Sequence, residues 1–287
     1  MTSTPTSRTD VEAWTQRHFG LTLDNYPSNR GDQLTELLAK HAPSSWDGLT
    51  DEAAAILSIP ETHFLRHPEC FVALRTLLEN VARARPVGRV RLWSAGCASG
   101  EEAYNLAALG LEVVGERVEV FATDFSQDAV DRAHEGVYGS WSLRGVDLAK
   151  VPWLRTRDDG RVQVADHVKA KVTFICGTLA EPGPPLDIDV AFCRNVLIYF
   201  CDEGSGRVLR RIATALRPDG HLIMAPTDPV PTELARWTQI QIPAPRPVRV
   251  YEPPVDTVRE ATPPLAPVAE PDAVDIAASI RELLRKP

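Results

Sequence analysis

The apolar positions change period along the chain. Between Val11 and Leu57 they recur at helical spacing: Leu34, Leu37 and Leu38, then Ala53, Ala54 and Leu57 after Thr50, Asp51 and Glu52. Thr50 reads as the cap and the two carboxylates as an acidic first turn. Residues 1–66 are therefore expected to form a small helical domain. A longer amphipathic helix is predicted from Pro68 to Arg85, with Phe71, Leu74, Leu77, Leu78 and Val81 on one face, stopping before Pro86-Val87-Gly88.

From Arg89 to Tyr251 short apolar runs alternate with helical patterns. Val90–Trp93, Val118–Ala122, Val172–Ile175, Val190–Cys193 and His221–Ala225 read as strands; Glu101–Leu111, Ala129–Glu135 and Glu203–Leu216 read as helices. Such alternation implies an α/β domain, residues 67–251, whose mostly parallel sheet is covered on both faces. The stretch from Tyr138 to Lys171 breaks the alternation. Arg155–Asp166 has hairpin character around Asp158-Asp159-Gly160, so residues 138–171 are expected to be an inserted subdomain. Beyond the domain, Pro253–Pro271 is dense in proline and reads as an extended linker (residues 252–271), followed by a short helix near Asp272–Arg285 (residues 272–287).

Composition narrows the class. The 287 residues are 44% hydrophobic and 24% charged, ordinary for a globular protein, and the formal net charge of −8 disfavours broad nucleic-acid binding. Met1–Asp10 lacks the apolar core of a signal peptide, and no apolar run reaches membrane-spanning length. The five cysteines, Cys70, Cys97, Cys176, Cys193 and Cys201, include no Cys-x-x-Cys pair. They are expected to be reduced core residues of a cytoplasmic protein, with no metal site.

Three segments carry candidate chemistry. The first, Arg91-Leu92-Trp93-Ser94-Ala95-Gly96-Cys97-Ala98-Ser99-Gly100-Glu101-Glu102, is a strand, a small-residue loop and a helix start. Gly96 and Gly100 suit a sharp turn and close approach of a ligand to the main chain. A dinucleotide site would place a pyrophosphate at that helix N-terminus. Glu101 and Glu102 would repel it and suit a cationic ligand instead, although acidic residues also complement a helix dipole. The second segment is Ala122-Thr123-Asp124-Phe125-Ser126. Asp124 stands where α/β sites grip ribose hydroxyls, and Asp124 or Ser126 also suits the cap of the next helix. The third is Phe192-Cys193-Arg194-Asn195-Val196-Leu197-Ile198-Tyr199-Phe200. It sets Arg194 and Asn195 at the carboxyl end of a buried strand; on pattern alone Tyr199 and Phe200 read as packing residues.

Together with Thr62-His63-Phe64-Leu65-Arg66 and Gly136-Val137-Tyr138, these segments resemble the CheR-type chemotaxis methyltransferases over about residues 20–230. The resemblance implies a Rossmann-like catalytic domain that uses S-adenosylmethionine and leaves S-adenosylhomocysteine. It also implies a helical N-terminal domain and an inserted antiparallel β-subdomain. It implies methylation of glutamate side chains on the cytoplasmic helical region of a chemoreceptor, by an enzyme expected to be a monomer with no metal and no nucleic-acid partner. Cofactor contacts carried over by the resemblance fall on Thr62, Arg66, Glu101, Asp124, Leu179, Asn195 and Val196, with Gly96, Phe125 and Thr178 beside them. Tyr199 matches a tyrosine next to the transferring methyl, and Arg83 aligns with a helix arginine near it.

The sequence departs from the family pattern at Pro60 and Thr178, where asparagines are usual, and at Pro226-Thr227-Asp228, where the strand usually leads into Ser-Glu. Each departure loses or shortens a side chain expected near the cofactor. Two alternatives therefore stand beside the enzyme reading: a non-catalytic module that binds S-adenosylmethionine or S-adenosylhomocysteine, and a methyltransferase for a small molecule.

Overall fold

Helix formation begins at Ser7, whose hydroxyl accepts from the Asp10 N–H at 3.2 Å while the Asp10 carboxylate accepts from the Ser7 N–H at 3.2 Å. The computed structural model describes residues 7–59, 61–179 and 186–255; Pro60, most of the proline-rich stretch and the final predicted helix lie outside them. The helices are α1 (Arg8–Phe19), α2 (Ser28–Ala39), α3 (Thr50–Leu57), α4 (Pro68–Ala84), α5 (Glu101–Val114), α6 (Gln127–Glu135), α7 (Asp166–Lys169) and α8 (Asp202–Ala215). The strands are β1 (Val90–Ala95), β2 (Val118–Asp124), β3 (Val137–Tyr138), β4 (Leu154–Thr156), β5 (Val162–Val164), β6 (Val172–Cys176), β7 (Ile188–Cys193), β8 (Leu216–Met224), β9 (Thr238–Ile240) and β10 (Arg249–Glu252).

Helices α1 to α3 bury Val11, Trp14, Leu34, Leu38, Ala53 and Leu57 against one another. Thr50 is not their cap. The 3₁₀ stretch Pro43–Leu49 runs straight into α3, so Thr50 already has helical dihedrals (φ −63°, ψ −35°), and Leu49 stands at the cap position without a side-chain hydrogen bond. A cap needs extended backbone for its side chain to turn back on the helix.

The main sheet has seven strands in the order β6-β2-β1-β7-β8-β10-β9. Strands β6, β2, β1, β7 and β8 pair in parallel, and β10 runs antiparallel between β8 and β9. Strand β7 is buried along its whole length, as a central parallel strand must be when helices cover both faces. Helix α8 ends one residue earlier than its pattern predicts. Leu216 instead pairs with Ile188, and Arg217–Gly220 loop out before His221 pairs with Val190. Pro218-Asp219-Gly220 supplies the turn chemistry. The strand order reverses between β1 and β7, and their carboxyl ends open a crevice there.

Between α6 and β6 the chain leaves this sheet to form a separate antiparallel sheet, β3-β5-β4. Its two-residue strand β3 was beyond the reach of periodicity, as were β9 and β10, where alternation is short or interrupted by proline. The second sheet packs through Tyr138 and Trp153 on Phe64 just before α4, with ring centroids 4.9 and 5.6 Å apart. Of the cysteines, Cys70, Cys97 and Cys193 are buried, but Cys176 is exposed and Cys201 intermediate. Cys176 ends β6 at the sheet's last strand, where only one side has a neighbour.

Candidate active-site cleft

A solvent-open cleft of about 970 Å³ lies over the carboxyl ends of β1, β2 and β7. The loop after β1 forms its floor. Gly96 has φ 82°, and a Cβ there would come within 2.4 Å of Val196 Cγ2. The glycine is thus required for one wall of the cleft to approach the other, as well as for the turn. Gly100, with φ 92°, begins α5. Four of the non-glycine residues with positive φ, Leu65, His67, Ala98 and Asn195, sit in or beside the cleft's loops. Backbone in such conformations costs on the order of 1–3 kcal/mol per residue and concentrates at functional sites.

Asp124 ends β2 and is 7% exposed. One oxygen accepts from Ala98 N–H at 2.8 Å and the other from Ser126 N–H at 3.0 Å. Burial pushes its pKa up, and those N–H groups pull it back. Each oxygen keeps a second lone pair, so two backbone donors fix the carboxylate while it remains able to accept hydroxyls. Ser126 is the N-cap of α6, accepting from Ala129 N–H, so the two roles divide between the two residues.

Glu101 and Glu102 part company. Adjacent helix residues point about 100° apart, and only Glu102 lines the cleft. Glu101 is 1% exposed, accepts from Ser99 Oγ at 2.8 Å and meets the Ser142 side chain. It ties the loop after β1 to the segment following β3, and its desolvation raises its pKa. Glu102 accepts from Ser94 Oγ at 2.7 Å and pairs with Arg194, Nε to Oε2 3.3 Å. The helix start is therefore not an uncompensated acidic surface; in the cleft a carboxylate and a guanidinium stand together. Arg194 lies beside the stacked rings of Phe71 and Phe192, 5.4 and 5.6 Å from their centroids, and donates to the Arg66 carbonyl at 2.6 Å.

Thr62, Arg66, Gly96, Asp124, Phe125, Thr178, Leu179, Asn195, Val196 and Tyr199 all line the cleft. Arg83 does not. It lies exposed near the end of α4, donating to Asn80 Oδ1 and the Glu79 carbonyl. Phe71 marks the cleft end of the same helix, about 18 Å away at 1.5 Å per residue. The arginine beside Tyr199 is Arg66: it pulls down a phenol pKa that burial raises.

Sequence reasoning missed the contribution of the N-terminal region. Leu21 bridges Phe200, the Thr22 N–H donates to the Tyr199 carbonyl at 3.0 Å, and the Cys201 N–H donates to the Gly20 carbonyl at 3.0 Å. Gly204 permits the approach, since a Cβ there would lie 2.1 Å from that carbonyl oxygen. Tyr26 is thereby laid on Tyr199, and Phe19 on Phe125. Only the helical period of this region is written in sequence; which loop it covers is a long-range contact. The departure at Pro226-Thr227-Asp228 is also placed. Neither Thr227 nor Asp228 lines the cleft, but Thr227 Oγ1 accepts from Asn195 Nδ2 at 3.1 Å and Asp228 Oδ2 from Asn195 N–H at 3.0 Å.

The strand order and the ribose-type carboxylate over the switch point define a Rossmann-like domain built to hold a nucleoside cofactor. Residues 60–244 match the family model described as CheR methyltransferase, SAM binding domain. The chain belongs to that family and is a S-adenosylmethionine-dependent methyltransferase domain. It is 34% identical over 206 residues to chemotaxis protein methyltransferase 1 of Vibrio cholerae serotype O1, covering 68% of this chain and 74% of the relative. It is 35% identical over 195 residues to the probable biofilm formation methyltransferase WspC of Pseudomonas aeruginosa, covering 63% of this chain and 45% of the relative. The match thus spans less than half of that longer relative. Among solved structures, magnesium protoporphyrin IX methyltransferase (ChlM) from Synechocystis PCC 6803 with bound SAM is similar at a TM-score of 0.38 and 19% identity, covering 65% of this chain and 78% of that one.

Proposed function

We propose that this chain methylates glutamate side chains on the cytoplasmic helical region of a chemoreceptor, with the cleft over β1, β2 and β7 as its cofactor site. One observation carries the reading: Arg66 and Tyr199 line the cleft together, beside Asn195 and Val196, and close enough to interact. The cofactor supplies a methyl group made electrophilic by its sulfonium. A glutamate carboxylate, with an ordinary pKa of about 4.3, is already ionised at neutral pH. The protein therefore has no proton to remove, and its task is placement in a reactive geometry.

Arg66 pairs with the incoming carboxylate. Tyr199, a phenol protonated at neutral pH and pushed further that way by burial, donates to one carboxylate oxygen. Asp124 accepts from the ribose hydroxyls through its free lone pairs. Tyr26 and Phe19, brought over by the N-terminal region, keep water from that end of the cleft. The relatives named chemotaxis protein methyltransferase support a receptor substrate. No helix among the described residues is long and apolar enough to cross a membrane, and we place the reaction in the cytoplasm, where the receptor's helical region is reached.

The test is incubation with methyl-labelled S-adenosylmethionine and cytoplasmic receptor fragments from the same organism. Label released from the receptor by mild base is the expected result. Cofactor binding without any base-labile label on receptor sinks the receptor-methylating reading.

A further inference from the structure

Asn105 stands one helical turn beyond Glu102 on α5, lines the same cleft and is 3% exposed. Neither its Oδ1 nor its Nδ2 has a hydrogen-bond partner among the described residues. A buried amide with both functions unpaired is costly, and its neighbours do not relieve it. The cleft around it includes Cys97 and Phe71, which offer a weakly polar thiol and a ring, and Arg194, whose buried Nη1 also lacks an acceptor. Glu102 is the carboxylate of this group. Three functions thus line the cleft together: an acceptor carboxylate, a guanidinium with its Nη1 donor unused, and an amide wanting one donor and one acceptor.

We infer that Asn105 is a cofactor-binding residue that reads the α-amino-acid end of the cofactor. The inference rests on the S-adenosylmethionine reading of the cleft and adds to it the residue that recognises the zwitterion. A ligand group carrying an ammonium and a carboxylate on one carbon satisfies both halves of the amide at once. Glu102 suits the ammonium and Arg194 Nη1 the carboxylate. A nucleoside without that group leaves the Asn105 amide and Arg194 Nη1 unpaired. A phosphate-bearing nucleotide would supply acceptors alone and leave the amide oxygen without a donor.

The experiment is calorimetry on the full chain with two ligands: S-adenosylhomocysteine, and 5′-methylthioadenosine, which keeps the nucleoside and sulfur but lacks the amino acid. Wild type is expected to bind S-adenosylhomocysteine the more tightly. Asn105→Leu, nearly the same volume without the polar atoms, is expected to weaken S-adenosylhomocysteine about tenfold, the scale of a hydrogen bond to a charged group. It should leave 5′-methylthioadenosine unchanged and raise the melting temperature of the ligand-free protein, because an unpaired buried amide has been removed. Asn105→Ala is measured alongside and should show the same ligand split if the leucine variant does not fold. Equal weakening of both ligands marks a merely structural residue and overturns the inference, as does undiminished S-adenosylhomocysteine binding in the variants. Wild type that binds 5′-methylthioadenosine as tightly as S-adenosylhomocysteine also overturns it while leaving the nucleoside site standing. Binding of neither ligand to wild type removes the cofactor reading itself.

Discussion

The ring of Tyr26 lies 4.9 Å from the ring of Tyr199, tilted by 40°. Tyr26 comes from the segment between α1 and α2, Tyr199 from the segment between β7 and α8, and the Thr22 N–H donates to the Tyr199 carbonyl. The helical region is therefore a wall of the cleft, and the phenol proposed to meet substrate is oriented from behind by another aromatic. Tyr26→Phe keeps that packing and is expected to retain most activity. Tyr26→Ala removes it and frees Tyr199, and is expected to lower kcat/KM by about 10²-fold, the usual consequence of a small misplacement near reacting atoms. Steady-state kinetics on receptor fragments would decide; an alanine variant with wild-type kinetics shows the wall to be irrelevant.

Two arginines compete for the role of carboxylate partner, and geometry separates them. Arg66 lines the cleft next to Tyr199, while Arg83 faces solvent farther along α4. Arg66→Ala is expected to cost kcat/KM about 10- to 100-fold, from the roughly 1.5–3 kcal/mol of a charged hydrogen bond. Arg66→Lys recovers little, since an ammonium lacks the planar fork. Arg83→Ala should leave both kcat and KM as in wild type. A reversed result, with Arg83 essential and Arg66 dispensable, contradicts the placement of the acceptor.

The sheet and its switch point were legible because buried parallel strands leave runs such as Val90–Trp93 and Val190–Cys193 that few other contexts produce. Asp124 was legible as a carboxylate at the end of an apolar strand, but sequence left its role open between ribose contact and helix cap; the structure gives the cap to Ser126. Glu101 and Glu102 were not separable, because a one-residue step turns a helix side chain from cleft to interior and the sequence carries no marker of which is which. Arg83 was drawn in by helix alignment alone. The Tyr26–Tyr199 contact and the Asn195–Asp228 bond join segments far apart in sequence, where local pattern says nothing about pairing.

Asp228 is the second support of the cleft. Its Oδ2 accepts from Asn195 N–H at 3.0 Å and from Ala225 N–H at 2.9 Å, and the residue is 5% exposed. Asn195 itself has φ 58°, a conformation that costs energy and needs fixing. Asp228→Ala strips the acceptor from two backbone donors, each worth about 1–3 kcal/mol when buried and unpaired. Denaturant melts should show a loss of about 2–4 kcal/mol, together with weaker cofactor binding as Asn195 relaxes. Asp228→Asn keeps one acceptor oxygen and should fall between. An alanine variant as stable as wild type would mean that other groups satisfy both donors.

Glu101 gives a pH dependence with a definite sign. Its carboxyl is nearly fully buried, and desolvation raises its folded pKa despite the Ser142 and Ser99 hydrogen bonds. The unfolded group titrates near pH 4.3. Between that pH and the raised folded value, the unfolded state has released the proton and the folded state still holds it. Folding stability must therefore fall as pH rises through this window, level off above the folded pKa, and be unaffected by this group below the unfolded one. Glu101→Gln abolishes the titration while keeping an acceptor for Ser99. The expected result is a stability difference, wild type minus variant, that moves against wild type as pH rises from about 4 and then becomes constant. Because Glu102 rather than Glu101 lines the cleft, the variant should bind S-adenosylhomocysteine as wild type does. A difference that instead favours wild type as pH rises would mean that Glu101 is ionised with net benefit in the folded protein, held by its hydrogen bonds more strongly than burial opposes it.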